Sequence, residues 1–87
     1  MKQKRQIMTK LWITREFETT QSYEVARDVE TLTNNLKVMG YNTVYELPMV
    51  TNAQIEVLNI NNSTEIDEIR TEVEEYFPEF NITEETL

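Results

Sequence analysis

Apolar residues along the chain change their spacing from two to three-and-four and back again, and each change marks an element. In KLWITREFE, residues 10–18, Leu11, Ile13 and Phe17 fall on one side at period two, with Lys10, Trp12, Thr14 and Glu16 on the other. That is a strand with one buried face. Ile7 extends the apolar side, so the strand can begin earlier. From Ser22, a candidate N-cap, Val25, Val29, Leu32, Leu36 and Met39 recur at spacings of 4, 3, 4 and 3, a single stripe along an amphipathic helix. Gly40, the only glycine, follows the stripe at the place where a left-handed C′ residue is needed.

YNTVYEL (41–47) and AQIEVLNI (53–60) are β-branched and aromatic, and predict two more strands joined around Pro48 to Asn52. Their alternation is imperfect, because Val44 and Leu58 fall on the less apolar faces. Pro48 has no N–H for a ladder and marks an edge, a bulge or the turn itself. NNST then supplies a cap, with Thr64 and Asp67 at capping-box spacing, for a second helix that Pro78 stops after about Phe77. Ile66, Ile69, Val73, Tyr76 and Phe77 form its expected core stripe. The tail FNITEETL is either a short fourth strand through Phe80 and Ile82 or frayed.

The long helix between the first two strands is a crossover, so those strands should be parallel and linked right-handed. The third strand returns by a short connection, antiparallel to the second. If it inserts between the other two, the fold is α+β, β-α-β-β-α(-β): a three- to four-stranded, mainly antiparallel sheet with two helices on one face, ferredoxin-like or split βαβ. The expected division is a basic N-terminal arm over 1–9, one domain over 10–80, and an acidic tail or short edge strand over 81–87.

Composition narrows the function by exclusion. Eighty-seven residues make one small domain with little room for a deep cleft. Cysteine and histidine are both absent, so Ser-His and Cys-His nucleophile–base pairs, thiolate zinc sites and disulfides cannot be built. Two serines and one glycine leave no phosphate-cradling loop and no nucleophile elbow. Glu65, Asp67 and Glu68 are candidate magnesium or calcium ligands, but the calcium-loop pattern is missing, and carboxylates along one exposed helix lack a converging cleft. The expectation is a protein without catalytic activity, cofactor or metal. No apolar run of signal-peptide or membrane-spanning length occurs, which predicts a soluble, non-secreted, cytoplasmic protein in which three Asn-x-Ser/Thr matches are coincidental.

Charge is more informative by position than by total. Residues 1–15 carry +5, residues 16–62 carry −5 and residues 63–87 carry −8. The acid excess argues against direct binding of nucleic acid or of an anionic membrane, whose affinity comes from Lys and Arg. An arm bearing Lys2, Lys4 and Arg5 is too small a counterweight to reverse that. On the second helix Glu65, Glu68, Glu72 and Glu75 repeat at spacings of 3, 4 and 3 beside the apolar stripe, with Asp67 and Glu74 on the far flank and Glu79 just beyond. Every amphipathic helix needs a polar back. Here, however, neighbours on the stripe repel by about 0.2–0.5 kcal/mol each, and Glu74 and Glu75 oppose the helix dipole in the last turn.

A basic surface docked there would relieve the repulsion. Glu65, Asp67, Glu68, Glu72, Glu74, Glu75 and Glu79 are therefore the candidate partner-binding face, and the expected partner is a basic nucleic-acid-handling protein such as a nuclease. In size and charge the chain resembles the small acidic inhibitors that bacteriophages carry against host defences, anti-CRISPR and anti-restriction proteins among them. That resemblance implies action in a bacterial cytoplasm. The competing expectation is a small structural or assembly protein that homodimerises through a sheet edge or the bare sheet face, with Trp12, Tyr41 and Tyr45 as aromatic anchors.

Overall fold

A computed structural model of the chain describes residues 9–46 and 51–86. They form β1 (Thr9–Glu16), α1 (Ser22–Val38), β2 (Asn42–Glu46), β3 (Asn52–Ile60), α2 (Ser63–Tyr76) and β4 (Asn81–Thr86). Lys2, Lys4, Arg5, Ile7 and Pro48, on which the basic arm and the Pro48 turn were expected, lie outside the described residues.

The strand order is β2-β3-β1-β4 and every ladder is antiparallel. β3 thus inserts between β1 and β2, which run parallel to each other without touching. This is the ferredoxin-like split βαβ arrangement, and the tail completes it: β4 pairs with β1 through Ile82 opposite Ile13 and Glu85 opposite Lys10. Central strands β1 and β3 supply Leu11, Ile13, Ile55 and Val57 to the core, all fully buried beneath Val25, Val29, Leu32 and Leu36 of α1 and Ile69 and Val73 of α2.

A bulge accounts for the imperfect alternation of β3. Thr9 pairs with Ile60 and Leu11 with Val57, so β3 spends one more residue than β1 over that interval. Asn59 absorbs the extra residue at φ 62°, in the left-handed region that asparagine tolerates better than most side chains. The parity of the strand changes there, which turns Ile60 into the core while Leu58 stays on the open face.

The helix ends follow local chemistry. Gly40, at φ 101°, closes α1 in a Schellman arrangement, the Tyr41 N–H donating to Leu36 O at 3.0 Å and the Gly40 N–H to Lys37 O at 2.9 Å. Three details depart from the sequence expectation. Ser22 is inside α1, because a 3₁₀ turn at Thr19–Gln21 precedes it and the Ser22 hydroxyl donates to Thr19 O. The cap of α2 is Asn62, whose side chain accepts from the Glu65 N–H at 3.0 Å, two residues before Thr64. Met39 and Tyr76 leave the core at 38% and 62% exposure, since each sits where its helix ends, while Phe77 is buried as expected and Thr33 is buried in addition.

Candidate functional site

The two flanks of α2 have different surroundings. Towards α1 lie Glu65, Glu68 and Glu72, and each has a donor. Glu65 accepts from the Asn61 N–H at 2.8 Å, so it belongs to the N-terminal cap. Glu68 accepts from the Tyr41 hydroxyl at 2.7 Å, and Glu72 from Asn35 Nδ2 at 3.0 Å. The repulsion expected along this stripe is thus offset in part: its three inner carboxylates are paired by residues that the turn after α1, the end of β3 and α1 itself bring to them. Burial of the ring, then the Glu68 carboxylate, holds the Tyr41 hydroxyl well above the ordinary tyrosine range, which keeps it a donor.

The outer surface of α2 is different. Asp67, Glu68, Glu74 and Glu75 are exposed, with Thr64 and Thr71 between them. The one cation of the helix, Arg70, points to the opposite flank and pairs with Glu84 of β4 at 3.1 Å. Glu75 also raises the Tyr76 hydroxyl above its ordinary value, chiefly through its charge. Glu79 is not part of this surface. It lies beyond the helix at one end of the sheet, in a polar hollow shared with Thr14, Glu16 and Asn52.

Of the three aromatics expected to act as anchors, Trp12 and Tyr45 line one hollow and Tyr41 lies apart from them. Trp12 is on the open sheet face, half-buried. Tyr41 is in the core at 9% exposure, and Tyr45 packs against the core from the edge strand. Around Trp12 the open face carries a small polar cluster: the indole Nε1 donates to Glu85 Oε1 at 2.7 Å, and Lys10 Nζ sits 5.2 Å from the ring centroid while pairing with Glu56 Oε2 at 2.7 Å. The Lys10 ammonium is held above its ordinary pKa, first by its hydrogen bond to Glu56.

Arg15 is a residue whose role the sequence reading missed. It was counted with the basic start, yet it continues the inward period of Leu11 and Ile13 and is 8% exposed. Its guanidinium pairs with Asp28 of α1 at 3.4 Å and lies 5.8 Å from the Phe80 ring centroid. The signal was its parity on β1.

The described residues hold all sixteen carboxylates and five of the eight cations of the chain, a net charge of −11. Lys10, Arg15 and Arg70 are each tied to a carboxylate within that body. Among the described residues no three acidic side chains converge in a way that would hold a metal ion, and no helix is long and apolar enough to cross a membrane. Compared with known proteins, the chain matches no family model, no curated protein and no solved structure.

Proposed function

We propose that the protein is a non-enzymatic binding module that docks on the basic surface of a nucleic-acid-handling protein, with the outer face of α2 standing in for phosphates. It acts in the cytoplasm of a bacterial host, as an inhibitor of the kind that bacteriophages direct against host nucleases. The supporting observation is that Asp67, Glu68, Glu74 and Glu75 are exposed together while the only cation on their helix is turned away to Glu84. Asp67 to Glu74 and Glu68 to Glu75 are each seven residues apart, about 10 Å along the axis. That is about three phosphate steps of a nucleic-acid strand at about 3.4 Å each. A basic cleft shaped for a phosphate backbone would meet carboxylates at a compatible repeat. The wider field of a chain with net charge −8 would speed the encounter.

The reading is tested by recovering the partner from a bacterial lysate on immobilised protein and then measuring the purified pair. The expected complex weakens steeply between about 50 and 200 mM salt and is displaced by nucleic acid. The combined substitutions Asp67→Lys, Glu74→Lys and Glu75→Lys should abolish it, whereas Glu24→Lys with Glu30→Lys on α1 should leave most of the affinity. Binding that survives the α2 reversal unchanged removes the proposal.

A further inference from the structure

The open face of the sheet, on the side away from both helices, holds a cation in a way that defines what else would fit there. The ladder sets Val44, Glu56, Trp12 and Thr83 in one row across the four strands. Glu85 fixes the indole at its polar edge, and Lys10 fills the space between the ring and Glu56. Next to this pair is an open hollow of about 190 Å³ lined by Trp12, Val44, Tyr45, Gln54 and Glu56. Pockets for drug-sized molecules run to about 300–1,000 Å³, so this one has room for a single side chain.

We infer that the hollow receives an arginine side chain of a partner protein, its guanidinium stacked on Trp12 and paired with Glu56 in place of Lys10. Charge selects this occupant. The open face has Lys10 against Glu16, Glu56 and Glu85, on a chain of net charge −8, so a second copy would bring like charge against like, and an anionic surface would be repelled. The indole and carboxylate already grip one ammonium, and a guanidinium does the same with more contact: it is planar, stacks on an aromatic face and forks onto a carboxylate. Lys10 then acts as a resident competitor that a partner must displace, which favours arginine over a weaker cation. The inference stands on the sheet face and is independent of the role proposed for α2.

Trp12 is the only tryptophan, so its indole N–H resonance reports on this site alone. The 87-residue chain is titrated with acetyl-Gly-Gly-Arg-Gly-Gly-amide and with its lysine and citrulline counterparts. A saturable shift of the Trp12 signal is expected with the arginine peptide, weaker with lysine, and weaker by about tenfold or more with the neutral citrulline, the loss expected when a charge-assisted pair is removed. Glu56→Gln should weaken the arginine peptide to a similar extent. Lys10→Met should tighten it, a gain that a merely structural Lys10 would not produce. The Asp67→Lys, Glu74→Lys, Glu75→Lys protein should respond like the parent. The inference is overturned by an absent Trp12 shift, by an equal response to citrulline, by Glu56→Gln binding as well as the parent, or by loss of the response in the α2 variant. A Trp12 shift that grows with protein concentration alone would also overturn it, since it would assign the face to a second copy.

Discussion

The two helices do the same structural work and present opposite surfaces. Each lays one apolar stripe on the same side of the sheet, with Val25, Val29, Leu32 and Leu36 buried on α1 and Ile69 and Val73 on α2. The exposed side of α1 mixes Glu24, Arg27, Glu30 and Lys37, the first three alternating in sign at spacings of three. The exposed side of α2 is anionic, and its one cation is engaged by β4. Since α1 shows that mixed charge suffices to solvate a helix over this sheet, the anionic surface of α2 is the feature on which the proposed docking role rests. The comparison also divides α2 itself: Glu65, Glu68 and Glu72 accept hydrogen bonds from other parts of the fold, Asp67, Glu74 and Glu75 lie on the outer face, and Glu68 belongs to both sets, bonded to Tyr41 and exposed.

The strongest way to break the comparison is to test whether the helices really carry equal structural weight. Leu32→Ala on α1 and Ile69→Ala on α2 each remove a side chain with no solvent exposure. Each should cost about 2–5 kcal/mol in urea-induced unfolding. Since a domain of this size holds about 5–15 kcal/mol in total, either variant should be close to unfolding. A loss on α2 far below that on α1 would mean that α2 is attached to the sheet rather than built into the core.

A smaller effect checks that the inner flank is structural. Tyr41→Phe removes the donor to Glu68 and should lower stability by about 1 kcal/mol, the net worth of a typical hydrogen bond. The hydroxyl has a folded pKa raised above its unfolded value near 10, so its contribution is complete below about pH 10 and is lost as pH rises beyond it. Thermal unfolding followed from pH 9 upwards should therefore show the parent losing stability more steeply than Tyr41→Phe. Parallel curves would remove Glu68 from the inner, fold-serving group.

The smallest effect concerns the outer flank. Glu75→Lys relieves repulsion with Glu72 and places a cation in the last turn of α2, which should raise stability by a few tenths of a kcal/mol up to about 1 kcal/mol. On α1, Glu30→Lys removes an attraction to Arg27 and should give a slight loss. Added salt should stabilise the parent more than Glu75→Lys, because it screens the repulsion that the substitution has already removed. A stabilised Glu75→Lys protein that also lost its partner would identify a residue kept for binding at the expense of the fold.

Much of the architecture was legible because it follows from period and punctuation. The stripe on α1, the left-handed role of Gly40 and the antiparallel return of β3 came from residue spacing, glycine chemistry and connection length, while the insertion of β3 between β1 and β2 was only a conditional expectation, which the strand order meets. The candidate site was legible only as a list of acids. Glu65, Glu68 and Glu72 looked like free neighbours of Glu75, because their donors Asn61, Tyr41 and Asn35 are the residue before a cap, a core aromatic and a polar position on another helix. Arg15 was read as part of a basic segment although its parity placed it inward. Ile60 broke the alternation of β3 until a bulge at Asn59 turned it into the core.

By itself the sequence determined the order of the elements, the side of each that is apolar, the acidic excess and the absence of histidine and cysteine, since these depend on neighbours within a few residues or on composition alone. Only the tertiary structure decided which carboxylates are spoken for. Hydrogen bonds such as Tyr41 to Glu68 and Arg70 to Glu84 join residues 27 and 14 positions apart, and a side chain's partner at that distance depends on how the elements pack. The same packing sent Tyr41 to the core and left Trp12 and Tyr45 to line one hollow beside Glu56.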